Sequence, residues 1–141
     1  MSNKLSLDVI SQEQQLLSQE VDMVLVPSMT GQIGILPGHI SLFASLEAGE
    51  LILTSGTRNE VFAITGGFLD VNQNQVTVLA DSAIRAEDID INKVEEAKKR
   101  AQEAMKDKSS EKDFKLAEAD LRKAILELKV AKRRRHSTLA F

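Results

Sequence analysis

Two hydrophobic periods run along this chain, and one gives way to the other near Ala86. In the opening stretch "LSLDVI" the apolar residues Leu5, Leu7 and Val9 alternate with Ser6 and Asp8. Alternation of this kind places one set of side chains on each face of a strand. "VDMVLV", "ELILTS", "EVFAIT", "GFLDVN" and "QVTVLAD" follow as short apolar or β-branched runs separated by turn residues. The spacing predicts eight to ten strands in a sandwich or barrel. "SGTRNE" and "NQNQ" read as hairpin connections, because Gly and Asn tolerate positive φ.

Beyond Ile91 the period becomes helical. Val94, Ala97, Ala101, Ala104 and Met105 line one face of a first helix, and "KDKSSE" interrupts the pattern. Ser110 with Asp113 forms an S-x-x-D capping box that starts a second helix. There Phe114, Ala117, Leu121, Ala124, Leu128 and Ala131 recur at alternating spacings of 3 and 4. Two such stripes joined by a short connection predict an antiparallel helical hairpin. The expected fold is therefore α+β: an antiparallel β-sandwich over residues 1–86, then a two-helix hairpin over residues 87–141. The hairpin stripe is mostly Ala, and each buried CH₂ stabilises by only about 0.8 kcal/mol. Either Ala simply allows close helix approach, or the weak seam lets the hairpin leave its docked position and lie along another surface.

Composition sharpens the division. All seven Gly and both Pro lie at or before Gly67. Residues 1–86 carry three Lys/Arg against nine Asp/Glu, and residues 87–141 carry fifteen against twelve. The two modules thus differ in sign, which suggests different partners. The absence of Cys excludes disulfides, Cys-zinc sites and thiol catalysis. No apolar run approaches the ~18 residues that span a bilayer, and no secretory leader pattern opens the chain. A cytoplasmic protein, or a peripheral subunit of a membrane complex, is the expectation.

Candidate chemistry is sparse. His39 and His136 share no ligand spacing, and neither a G-x-S-x-G nor a phosphate-loop sequence occurs. "GQIG" and "TGG" read as structural turns. Lys129, Lys132, Arg133, Arg134 and Arg135 place five cations in seven residues without an acid. They form either a solvated helix end or a surface for an acidic protein groove, nucleic acid or anionic lipid. The lack of Trp and Tyr and the acidic first module weigh against nucleic acid.

"GQIGILPGH" (Gly31–His39), "TGGFLDV" (Thr65–Val71) and "VTVLAD" (Val76–Asp81), with "LDVIS" (Leu7–Ser11) before them, resemble the epsilon subunit of bacterial rotary F-type ATP synthase. The resemblance extends in order from Leu5 to Asp90, while the helical region is similar in length and pattern only. Many relatives carry Pro two residues after the His, where this chain has Ser41, so the backbone here is slightly less constrained.

The resemblance implies a flattened sandwich of about ten strands and a helical hairpin, forming a non-catalytic subunit without cofactor or metal. Such a subunit sits at the foot of the rotating central stalk, on the cytoplasmic face of the membrane. It couples proton-driven rotation to ATP synthesis and restrains ATP hydrolysis through its helices. The implied c-ring contact is Thr30, Gly31, Gln32, Ile33 and Gly34. The implied gamma-subunit contact is Ser11, His39, Phe43 and Ala44. With the hairpin extended, Lys129, Lys132 and Arg133 to Arg135 would meet the alpha and beta subunits. Some relatives bind ATP through an (Ile/Leu)-Asp-x-x-Arg-Ala motif and a pair of Arg on the second helix. Here the corresponding residues are Asp90, Lys93, Lys123 and Glu127, and the carboxylate implies weak ATP binding or none. A free-standing cytoplasmic nucleotide-sensing or adaptor module is the alternative.

Overall fold

A computed structural model describes residues 4–107 and 110–139, with side chains described as far as Arg133. The chain separates into two compact units, Met1–Arg85 and Ala86–Phe141, one residue earlier than the composition break suggests.

The first unit holds ten strands: β1 (Leu5–Ser11), β2 (Gln15–Val21), β3 (Met23–Ser28), β4 (Gly31–Ile35), β5 (Leu42–Leu46), β6 (Gly49–Ser55), β7 (Arg58–Ile64), β8 (Gly67–Asn72), β9 (Gln75–Ala80) and β10 (Ala83–Arg85). They follow one curled path, β10-β7-β6-β3-β5-β8-β9-β1-β2, with β4 attached to β3. The curl divides this path into two layers. β3 pairs with β6 through Met23, Val24 and Leu25, but with β5 only at Ser28↔Leu46. The turn after β2 is tied back to β6 by Asp22 N–H donating to Thr54 O at 2.7 Å.

Between the layers lies one apolar core. Leu5, Leu7 and Val9 of β1, Val24 and Val26 of β3, Leu51 and Leu53 of β6, Phe62 and Ile64 of β7, and Leu69 and Val71 of β8 are all buried in it. The alternation read from the sequence is the alternation of inward and outward residues, and in β8 it is strict over Gly67–Asn72. The two hairpins also form where expected. Gln73 and Asn74 link β8 to β9 with φ of 49° and 65°, the pair of positive values that suits the twist of two strands. Gly56, at φ 60°, opens the turn from β6 to β7.

Two expectations change. The sheet is not wholly antiparallel, because β1 and β9 run parallel. "VDMVLV" is not one strand: Asp22 leaves the ladder, and its carboxylate accepts from Gly56 N–H at 2.6 Å. β2, β4, β5 and β10 also carry too little alternation or too many turn formers to stand out in the sequence, and neighbouring strands hold them by register.

"TGG" has a steric reason. Gly66 and Gly67 have φ of 130° and 141°, in the region that favours glycine. A Cβ on Gly67 would collide with the Leu79 carbonyl oxygen of the adjoining strand.

The second unit opens with a short 3-10 turn (Ala86–Asp88) and continues as α1 (Ile91–Lys106) and α2 (Glu111–Leu139), which pack together. Asp90 caps α1 by accepting from Asn92 N–H at 3.1 Å and Lys93 N–H at 3.3 Å. Ser110 caps α2, its Oγ accepting from Asp113 N–H at 3.0 Å. The expected α2 stripe is present, with Ala117, Ala124, Leu128 and Ala131 buried and Phe114 and Leu121 half-buried. On α1, Ala101 is buried, whereas Ala104 is exposed.

Candidate functional site

The densest cluster of Gly, Pro and His in the chain forms the two loops that flank β4 in the first unit. The β3–β4 turn carries Thr30 and Gly31. Ser28 Oγ organises it by donating to Gly31 O at 2.6 Å and accepting from Thr30 N–H at 3.3 Å. Gly31 takes φ 112°, and Thr30, Gly31, Gln32 and Gly34 are exposed, with Ile33 half-buried.

The next loop, residues 36–41, is held by the β8–β9 hairpin. Gly38 N–H donates to Asn74 Oδ1 at 2.7 Å. His39 N–H donates to Leu36 O at 3.1 Å, and its ring Nδ1 lies 2.7 Å from Ile40 O. A carbonyl oxygen only accepts, so Nδ1 carries the proton. His39 thereby shapes its own loop. Ser11 likewise organises a turn, its Oγ lying 3.3 Å from Gln14 O and 3.4 Å from the N–H groups of Glu13 and Gln14.

Beside this loop the outer face of the sheet is apolar. Phe43 is 69% exposed, and Phe68 and Leu79 are each 47% exposed. The Phe43 and Phe68 rings stack with centroids 5.6 Å apart. Register extends the patch across four strands: Ser45↔Phe68, Phe68↔Leu79 and Ile10↔Leu79. Ile10 faces outward because Leu7 and Val9 of its strand alternate with it. The sequence reading found Phe43 but missed Phe68, Leu79 and Ile10, because only cross-strand register shows that they adjoin.

The sheet also separates two residues assigned to one contact. Phe43 points outward, whereas Ala44 is half-buried on the opposite face of β5. Their side chains do not share a surface.

In the second unit a groove of about 530 Å³ runs between α1 and α2, over a floor of Ala97, Ala101, Ala117 and Ala124. Small residues leave this space open. Lys93, Lys123 and Glu127 line it. Asp90, the fourth residue of the degenerate nucleotide motif, is engaged as the α1 cap. Glu127 is 9% exposed. Burial pushes its carboxyl above the usual range, and the nearby Lys123 partly offsets the shift. Lys129, Lys132 and Arg133 are exposed on α2, while the side chains of Arg134 and Arg135 lie outside the described ones.

A curled sandwich with shaped loops and an exposed aromatic patch, followed by an antiparallel helix pair, defines a protein organised around contact surfaces. Family models agree with both halves. One described as "ATP synthase, Delta/Epsilon chain, beta-sandwich domain" matches residues 4–86, and one described as "ATP synthase, Delta/Epsilon chain, long alpha-helix domain" matches residues 87–132. The chain belongs to the ATP synthase delta/epsilon family. It is 44% identical over 132 residues to an ATP synthase epsilon chain of Herpetosiphon aurantiacus, covering 94% of this chain and 97% of that one. It is 47% identical over 138 residues to an ATP synthase epsilon chain of Dehalococcoides mccartyi, covering 94% and 95%. The fold is also that of a chain in the cryo-EM structure of the Euglena gracilis mitochondrial ATP synthase OSCP/F1/c-ring assembly. There the TM-score is 0.76 at 24% identity, over 94% of this chain and 82% of that one.

Proposed function

We propose that this chain is a non-catalytic central-stalk subunit of a bacterial ATP synthase, coupling rotation of the rotor to ATP synthesis. The observation that carries the reading is the outer-face patch of Ile10, Phe43, Phe68 and Leu79 in a member of the epsilon family. A contiguous exposed apolar surface favours a protein partner. The partner proposed for it is the gamma subunit, with Ser11 and His39 shaping the adjoining loops. The β3–β4 turn, Thr30 to Gly34, is the proposed c-ring contact. Its exposed Gly31 and Gly34 leave room for close backbone approach. No helix among the described residues is long and apolar enough to cross a membrane. A peripheral position at the cytoplasmic face follows from this reading.

The helix pair is proposed to restrain ATP hydrolysis by meeting the alpha and beta subunits through Lys129, Lys132, Arg133, Arg134 and Arg135. Several cations in a partly enclosed site add to more than a single exposed pair, which is worth ~0–1 kcal/mol. The groove is proposed to hold ATP weakly or not at all, since Glu127 lines it and a carboxylate repels a triphosphate.

Binding of the full chain to the isolated gamma subunit tests the main reading. Replacing Phe43 and Phe68 together by Ser should weaken it at least ~30-fold, the loss expected for a central aromatic hot spot of ≥ 2 kcal/mol. Unchanged binding by a doubly substituted chain with native circular dichroism sinks the assignment. For the helices, Arg133, Arg134 and Arg135 together replaced by Ala should raise the ATPase rate of the soluble catalytic complex without changing assembly.

A further inference from the structure

The groove between α1 and α2 is lined by charges in two opposed rows. α2 contributes Asp113, Asp120 and Glu127, seven residues apart on one face, and α1 contributes Lys93 and Arg100, also seven apart. In an antiparallel pair these rows run past each other, acids on the α2 side and bases on the α1 side. Glu127 differs from the other acids. It is nine-tenths buried, whereas Asp113 and Asp120 are exposed. Its side chain lines the groove, and Lys123, one turn away on the same helix, is the cation that acts on it. Lys93 and Arg100 line the groove from α1, and the 3-10 turn packed on α2 adds the like charges Glu87 and Asp88.

A carboxyl on a side chain largely withdrawn from water is held less easily as an ion than as a neutral acid. We propose that the helix pair is a proton-sensitive closure: uptake of a proton by Glu127 tightens α2 onto α1, and loss of that proton loosens the pair. The Ala floor makes the device effective, because a seam with little apolar burial is weak enough for one group to matter.

The sign follows from linkage. Burial holds the Glu127 carboxyl above its ordinary value of 4.5 in the closed pair, while in the opened pair it returns towards that value. The closed pair therefore binds the proton more tightly. Its advantage is complete below the ordinary carboxylate range and is lost as pH rises through the raised value. Acidification closes the pair, and alkalinisation loosens it. This goes beyond the stalk reading and does not depend on it, because the helix pair of the isolated chain is what responds.

Two measurements on the full chain test the proposal. Carbon-13 NMR of the labelled Glu127 carboxyl should show a titration above 4.5. Amide exchange, corrected for the intrinsic rate, should show α2 protection falling as pH rises above the ordinary carboxylate range in the wild type. The fall should be steepest between the ordinary carboxylate value and the raised Glu127 midpoint, approaching about tenfold per pH unit at the one-proton limit. Glu127→Gln, a neutral side chain of the same shape, should hold the acid level of protection across the range. Lys123→Met removes the offsetting cation and should move the Glu127 midpoint to higher pH. An ordinary carboxylate titration overturns the proposal. So does a Glu127→Gln profile parallel to wild type, or uniformly lost protection in that variant, which would make the carboxylate a structural partner.

Discussion

The two units of this chain are held together by different means. In the sandwich, large branched and aromatic side chains from many strands meet in one core: Leu5, Leu51, Phe62, Ile64 and Leu69 are each at most 1% exposed. Fully burying a side chain of this size stabilises by about 1.5–3 kcal/mol, so the core alone fixes the unit. In the helix pair the buried seam residues are mainly Ala: Ala101, Ala117, Ala124 and Ala131. A seam of methyl groups contributes a fraction of that per residue, and the pair depends more on its caps and on i,i+4 contacts. The comparison teaches that a strong unit can present fixed docking surfaces, while a weakly sealed unit is poised to respond.

The largest test of this contrast separates the units. Residues 1–86 produced alone should keep a cooperative unfolding transition and a β circular-dichroism spectrum. Residues 87–141 alone should lose most of their helical signal, since helices without a substantial apolar face are marginal in water. A helical fragment that folds as cooperatively as the sandwich breaks the comparison.

Next come single substitutions in the sandwich. Phe62→Ala should cost about 3–5 kcal/mol in denaturant unfolding, the range for a large core truncation. Gly67→Ala should cost roughly 1–3 kcal/mol from its backbone conformation alone, with the collision against the Leu79 carbonyl in addition. A smaller loss at Gly67 would mean that β8 shifts to accommodate the methyl group.

Helix caps are worth less in absolute terms but matter more to a weak unit. Asp90→Ala and Ser110→Ala should each cost about 0.5–2 kcal/mol, visible as reduced amide protection in α1 and α2 respectively. The smallest effect belongs to the exposed pair Arg122–Glu118, whose atoms lie 2.8 Å apart at i,i+4. Arg122→Ala should change stability by only about 0.3–0.5 kcal/mol, and high salt should erase the difference.

Much of the fold was legible because local periodicity carries it. Leu5, Leu7 and Val9 announce a half-buried strand, and Ala117, Leu121, Ala124 and Leu128 announce a helix, since a side chain's face is set by chain geometry and needs no distant partner. Turn chemistry was equally local, at Gly56, at Gln73–Asn74 and at the Ser110 cap. β2, β4 and β10 were not legible, because "QLLSQEV", "GQIGI" and "AIR" become strands only where a neighbour supplies hydrogen bonds.

The candidate site divides along the same line. The sequence by itself determined two modules of opposite charge, the glycine-rich loops around Thr30 and His39, and the motifs that carry the family resemblance. The tertiary structure alone decided that β1 lies parallel to β9, which joins Ile10 and Leu79 to Phe68 and Phe43 in one apolar patch. It also decided that Ala44 faces away from Phe43, that Asp90 is spent on a helix cap, and that Glu127 lies buried beside Lys123 in the helix groove. The physical reason is the same in each case. Which residues share a face is a property of one strand or helix, whereas which faces meet, and how much water they exclude, depends on segments far apart in the chain.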